Sequence, residues 1–365
     1  MRQSQKIKDY LLQGCIYLSS ACTVLVLVLI IGFIFVKGVP KINGHFLTAN
    51  YDNETVYVTA ETIPESQQKK DKEMIPEIGV YYDLGEDGES MVVTDFTADS
   101  TAKNVENLKG DVEKISKGDV ISNVQSIDIN HVRMKLTKIG GGIKPMLIST
   151  LMLIGLSLLV AAPIGILSAI YLNEYAKPGK VLTVIRFAIQ NLSGIPSIIY
   201  GLFGMLVFVQ ILNMRYSILA GALTISIILL PTMISTTEES LKAIPPGIRE
   251  SSLGLGATKL QTTMKVVVPN ALSGILVAVI LSIGRIVGES AALLLTAGTV
   301  ASIPKALTGE GASAATLTIK AYTILKETGD VSTSCAIGVI LIVLIIVLNL
   351  ASKLVTARFM KKQQG

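Results

Sequence analysis

The sequence predicts an all-α polytopic membrane protein of six transmembrane helices, with a β-rich extracytoplasmic insertion after the first helix. Two observations predict the helices. Half of the 365 residues are hydrophobic and 16% are charged. With a mean hydropathy of +0.58, that balance belongs to membrane chains rather than soluble domains. The charges are also confined, leaving uncharged runs longer than the ~20 residues needed to cross a bilayer core. A third observation predicts the insertion. Residues 37–142 carry 18 acidic against 12 basic side chains, a net of −6, and contain no such run.

The chain starts with Arg2, Lys6 and Lys8, followed by 27 uncharged residues, Tyr10 to Val36. That run is too long for a signal-peptide core, and no small-x-small cleavage site closes it. The expectation is an uncleaved first span within residues 1–36 and a cytoplasmic start. In the insertion, Thr55 to Thr59, Ile78 to Tyr82 and Met91 to Thr94 alternate or are β-branched between Gly, Asp and Pro, as strands do. Asp83 to Glu89 has the outline of a calcium loop. Gly85 and Thr94 stand where that loop needs carboxylates, so a solvated turn is expected.

The remaining spans follow from the gaps. Pro145 to Asn173 is uncharged for 29 residues, and 28 uncharged residues lie between Arg186 and Arg215. Tyr216 to Thr237 gives a fourth span of 22 residues, a fifth begins after Pro269, and Val331 to Ser352 gives a sixth of 22. Residues 143–352 thus form a core of five helices, and residues 353–365 a basic tail. In the third span, Gly194 and Pro196 should break or kink the helix. A plain proline kink fits. So does irregular backbone beside a cavity, which membranes tolerate only where protein or water satisfies it. The N-terminal tail, the Glu174–Lys180 loop and the C-terminal tail are basic and alternate correctly for six spans with both ends cytoplasmic. Residues 37–142 then lie outside and the loop 235–269 inside. Cys15, Cys22 and Cys335 have no metal-type spacing, and no basic cluster interleaved with aromatics points to nucleic acid.

The loop 235–269 is long and polar for a membrane chain. Pro245 and Pro246 stop the preceding helix and start a new one. Gly247 to Leu255 should be a short helix carrying Arg249 and Glu250, with Gly254 or Gly256 supplying a left-handed end. Thr258 to Gln261 has capping-box spacing. Glu250-Ser251-Ser252, Gly256 and Val266-Val-Val-Pro269 resemble, in spacing, the cytoplasmic "EAA" loop of bacterial ABC-importer permeases. The resemblance implies that this helix docks in a cleft of an ATPase subunit. It makes Arg249, Glu250, Ser251, Ser252 and Gly256 ATPase-coupling residues.

Between Ala271 and Pro304 there are two charges, Arg285 and Glu289. Four residues apart, they should share a helix face, continued by Ala278, Ser282, Ala292 and Thr296. Gly284-x-x-x-Gly288 should admit a close helix neighbour. A charge at the bilayer centre costs at least ~2.5–3.5 kcal/mol, so two such residues need a reason. Two fit: a mutual ion pair that makes both tolerable, or an anion path lined by Arg285, Glu289 and Ser282. Arg offers forked donors to a tetrahedral oxyanion. A neighbouring Glu repels any anion lacking a proton to donate, which favours phosphate over sulfate.

Gly284-Arg-Ile-Val-Gly-Glu289-Ser-Ala-Ala, Asn191-Leu-Ser-Gly-Ile-Pro-Ser197 and the 250–269 loop together resemble the PstA-type permeases of bacterial phosphate ABC importers. The resemblance is close over residues 140–298 and loose over 1–47. It implies the type I importer (MetI-like) permease fold. It also implies a PstC-type permease partner, an ATPase dimer and an extracytoplasmic phosphate-binding protein. No G-x-x-x-x-G-K-[ST] sequence occurs, so this chain is expected to bind no cofactor, to leave ATP to the partner ATPase, and to catalyse no reaction. His45 and His131 are expected to be plain surface residues. A PstC-type or other-oxyanion permease, an ion-coupled secondary anion transporter, and a membrane-anchored phosphate sensor or scaffold are the alternatives.

Overall fold

The computed structural model describes residues 2–64, 68, 71, 73–85, 90–108, 110–128, 130–138 and 140–364. It divides into two compact units, Met1–Asn43 with Met146–Gly365, and Gly44–Pro145. The tail residues Arg2, Lys6, Lys8, Arg358, Lys361 and Lys362, and the centre of the Asp83–Glu89 turn, lie outside the described side chains.

In the membrane unit, α1 (Arg2–Gly38) packs along α12 (Val331–Gln364). α3 (Lys144–Ile170) ends in a π-helical turn, Tyr171–Tyr175. α4 (Lys180–Ser193) and α5 (Ser197–Gly204, extended by a π-helical turn to Ile211) follow, then α6 (Ile218–Lys242). α7 (Pro246–Gly254) and α8 (Lys259–Thr262) lead through a π-helical turn into α9 (Val268–Gly288). α10 (Ala291–Leu294) and α11 (Leu317–Glu327) complete it. Five helical stretches among the described residues are long and apolar enough to cross a membrane, and α4 with α5 makes a sixth when taken together. α6 is the scaffold: most of its apolar stretch is buried, whereas the apolar stretch of α1 lies exposed. An all-round apolar helix left uncovered has lipid or another subunit as its natural solvent.

Of the break or kink expected at Gly194 and Pro196, the structure has the break: α4 and α5 meet at 98°, so the third apolar run is a broken pair. The structure departs from the expected spans at both ends of the fifth. The fifth span starts at Lys259, ahead of Pro269. The π-helical turn Thr263–Val267 widens the helix where the Pro269 ring would crowd the carbonyl four residues back. That span also ends earlier than its apolar run suggests, at Gly288.

The second unit holds α2 (Gly44–Thr48) and eight strands among the described residues. They are β1 (Glu54–Glu61), β2 (Met74–Ile75), β3 (Val80–Leu84), β4 (Met91–Phe96), β5 (Val105–Asn107), β6 (Val112–Glu113), β7 (Val120–Asp128) and β8 (His131–Lys138). All pairs are antiparallel, in the order β2-β3-β4-β7-β8-β1-β5-β6. β8 shows why: Val132, Met134 and Leu136 alternate with polar residues and are buried. In register, Val132 faces Ala60 and Met134 faces Val58 of β1. Burying one face of such a strand sets its register, because a one-residue slip would expose the whole row.

Candidate functional site

Two places in the membrane unit concentrate the polar residues singled out above. The first surrounds Arg285. α9 stops at Gly288, and Glu289 adopts an extended conformation, φ −81° and ψ 127°. Its carboxylate Oε1 accepts from the Ala292 backbone N–H at 3.3 Å, at the start of α10. Arg285 and Glu289 therefore do not share one continuous helix face, and no ion pair joins them among the described residues. The physical reason is that short polar side chains near a helix end satisfy free backbone donors, and Glu289 does this for the next helix. Arg285 is half-buried; its Nη1 donates to Thr232 Oγ1 of α6 at 3.3 Å. The Val287 carbonyl freed by the helix end accepts from Thr318 of α11.

Ser282 sits elsewhere. It is fully buried, its hydroxyl donates to the Ala278 carbonyl at 2.8 Å, and Met233 of α6 lies beside it. Ser282 faces a helix contact rather than open space. The expected close neighbour of Gly284-x-x-x-Gly288 is also missing within the described chain: a Cβ added at either glycine meets nothing within 4 Å. That face stays open, with Arg285 and Glu289 beside it.

The break between α4 and α5 borders the same region. Gly194 ends α4, and Pro196, which has no N–H to leave unsatisfied, precedes α5 with ψ 137°. The Tyr200 hydroxyl reaches back across the break to the Leu192 carbonyl at 2.8 Å. One turn of close packing holds the pair in place: a Cβ at Gly201 would meet Ala292 Cα of α10 at 2.7 Å.

The second place is the hairpin from α6 to α9. Thr258 and Gln261 form the expected capping box, and Ser252 hydrogen-bonds Thr262 at 2.9 Å, closing α7 onto α8. Gly256 has φ +85°. Its N–H bonds the Leu253 carbonyl at 2.9 Å and that of Ala257 the Ser252 carbonyl at 3.2 Å, a Schellman end that a left-handed glycine makes possible. Glu250 and Ser251 are exposed on α7. So are Leu253, Leu255 and Leu260, with Leu255 90% exposed.

Arg249 does not project from this hairpin as the sequence suggests. Nη2 donates to Glu174 Oε1 and to the Leu241 carbonyl, both at 2.8 Å, and Nη1 donates to the Ile244 carbonyl at 2.8 Å. The forked guanidinium closes the carboxyl end of α6 and ties it to the turn after α3. Lys259 adds a second tie, 5.2 Å over the Tyr175 ring. Sequence reasoning missed Glu174 because it lies 75 residues from Arg249. It also missed Glu238, buried on α6, which pairs with Arg186 of α4 and with Lys242 at 2.9 Å. The i,i+4 spacing of Glu238 and Lys242 was a visible signal; the Arg186 partner was not.

Broken helices, an open glycine face on α9 and a braced polar hairpin are the marks of a multi-pass membrane protein. Residues 161–361 match the family described as "Binding-protein-dependent transport system inner membrane component", and the chain belongs to that family. It is similar to the probable ABC transporter permease protein YqgI of Bacillus subtilis, with 36% identity over 181 residues, 49% of this chain and 62% of that protein. It is also similar to the phosphate transport system permease protein PstA of Pasteurella multocida, with 38% identity over 157 residues, 43% of this chain and 56% of that protein. The chain thus spans less than two thirds of the length of these relatives. Among solved structures, a chain of the inward-facing MetNI methionine ABC transporter superposes with TM-score 0.46 at 19% identity, covering 58% of this chain and 91% of that one.

Proposed function

We propose that this chain is one half of the membrane channel of an ATP-driven importer of inorganic phosphate, and not an enzyme. The observation that carries the reading is Arg285: a half-buried guanidinium inside a span, holding one long hydrogen bond and, among the described residues, no carboxylate, beside an open glycine face. A cation so placed is expensive unless an anion or a partner uses it. The phosphate systems named for its relatives supply the anion.

In this reading the open Gly284–Gly288 face meets a second, PstC-type permease, and the two enclose the path. Arg285 attracts the anion. Glu289 accepts a proton-bearing oxygen of phosphate, which sulfate lacks at neutral pH. Glu250 and Ser251, with the exposed Leu253 and Leu255, enter a cleft of an ATPase dimer that alone uses ATP. Arg249, Ser252 and Gly256 act one step back, by holding that knob rigid. Both termini are cytoplasmic, and an extracytoplasmic binding protein delivers phosphate.

The test is uptake of labelled phosphate by cells lacking the chain and rescued by it, with and without ATP depletion, and with Arg285→Gln at matched membrane levels. Uptake that needs both ATP and Arg285 is the expected result. Uptake indifferent to ATP would overturn the importer reading.

A further inference from the structure

The face of α6 that receives Arg285 continues toward the hairpin. Thr232, Ser235 and Glu239 stand at i, i+3 and i+7, on one side of the helix. Ser235 and Glu239 lie about 4.5 and 10.5 Å further along the helix axis than Thr232. Both line a hollow of about 80 Å³, with Arg186, Gln190, Glu238 and Lys242 among its other lining residues. That space suffices for a few waters and is well below the ~300 Å³ at which small-ligand pockets begin. The face is therefore pinched on the hairpin side of Arg285.

Glu238 ties the two helices together at the pinch. Its carboxylate holds Arg186 of α4 and, at 2.9 Å, Lys242 one turn further along α6. The Glu238 side chain is 9% exposed, against 34% for Arg186 and 51% for Lys242. The lining charges balance, Arg186 and Lys242 against Glu238 and Glu239, so the hollow holds no net attraction for an anion. What distinguishes it is how loosely Arg186 is held otherwise. Its buried Nε has no hydrogen-bond partner among the described residues, and Nη2 reaches the Leu172 carbonyl only at 3.4 Å. A pair of this kind can part, because the attraction lost is offset by rehydrating groups that burial had stripped of water. The partly exposed Arg186 and Lys242 already reach that water. The same end of α6 is fastened to the hairpin: Arg249 donates to the Leu241 carbonyl, one residue before Lys242. A displacement of the hairpin thus reaches Glu238 through one turn of helix.

We propose that Glu238 is a latch. With Arg186 it binds α4 to α6 and closes the hairpin end of the path that starts at Arg285, and it releases Arg186 when the path opens at that end. The path, though not the tie between the helices, rests on the importer reading.

The experiment uses the assembled complex in membrane vesicles, with Cys15, Cys22 and Cys335 each changed to Ser. Ser235→Cys reports opening, through its rate of reaction with a small membrane-impermeant methanethiosulfonate. Vesicles are used in the orientation in which Leu255→Cys, on the exposed hairpin, reacts. Rates are measured without ATP and after vanadate trapping, in the otherwise unchanged chain and with Glu238→Gln. The expected result is protection of Ser235→Cys in one of the two states, and reaction about tenfold faster in that state with Glu238→Gln. Exchanging the charges, Arg186→Glu with Glu238→Arg, should restore the protection. Equal rates with and without Glu238→Gln in both states overturn the latch, and a lowered unfolding temperature beside equal rates makes the pair a structural brace. Should Glu238→Gln not assemble, Arg186→Gln carries the same two outcomes. Protection in both states that Glu238→Gln still abolishes keeps the latch and overturns only the ATP coupling of the importer reading.

Discussion

Two arginines divide the membrane unit into different kinds of region. Arg249, in the hairpin, is saturated: one carboxylate and two helix-end carbonyls take its donors. Arg285, inside a span, keeps one 3.3 Å bond to a hydroxyl. The first lies in the loop that the sequence marks for a partner, and the second in the helix where a paired charge was a fair expectation. The difference teaches that exposure along the chain does not say which charge is free. A saturated arginine shapes a rigid element, and an under-committed one is left for something else to bind.

Arg249→Ala gives the largest expected effect. Glu174, whose side chain is 8% exposed beside Arg249, loses its cation and keeps the Asn173 amide, and breaking a buried pair costs about 3–5 kcal/mol. Thermal unfolding of the purified chain should shift down, and Glu174→Ala combined with Arg249→Ala should recover part of the loss. Equal stability of single variant and wild type would erase the contrast between the arginines. Arg285→Gln should do the reverse. Stability moves by less than about 1 kcal/mol, since one weak hydrogen bond is lost. Phosphate uptake falls about 10- to 100-fold, the worth of a charged contact to the anion. A variant that unfolds rather than losing uptake makes Arg285 structural too.

Gly256→Asp comes third. At φ +85° a side chain costs on the order of 1–3 kcal/mol locally. The end of α7 should loosen, and ATP hydrolysis by the assembled complex should continue with little transport. Hydrolysis and uptake that fall together would place the residue in folding instead.

The smallest effect is in the β-rich unit. Hydrogen bonding by Lys117 holds the Asp95 carboxyl below its ordinary value, and the Asn130 backbone N–H does so for Asp128. Both folded values lie below the unfolded ones. Their stabilisation is therefore complete above the unfolded value, about 3.9, and is lost as pH falls through the folded ones. In Asp95→Asn with Asp128→Asn, hydrogen exchange in β4, β7 and β8 should depend less steeply on pH below about 4. Both groups are exposed, so the change is slight.

Much of this was legible in the chain. The spans come from charge gaps, the capping box from Thr258 and Gln261, the left-handed end from Gly256, and the strand β8 from its alternating Val132, Met134 and Leu136. Three features were not. Gly288 inside an apolar run gives no sign that α9 stops there, because its end depends on Thr318 and Ala292 arriving from later elements. The break at Gly194 and Pro196 was itself expected, but its angle of 98° was not, because it depends on Tyr200 and on Gly201 meeting α10. Ser282 reads as a polar residue on a charged face, yet its hydroxyl is spent on its own helix turn.

What the sequence determined by itself is local. Hydrophobic length, helix ends and strand alternation follow from backbone hydrogen bonding and from the bilayer, which act over a few residues. What the tertiary structure decided is which charges are satisfied. That rests on partners such as Glu174, Thr232 and Glu238, brought near by packing around α6 from distant parts of the chain. A guanidinium's role is set by the carboxylates and carbonyls within about 3 Å of it, and no spacing along the chain records them.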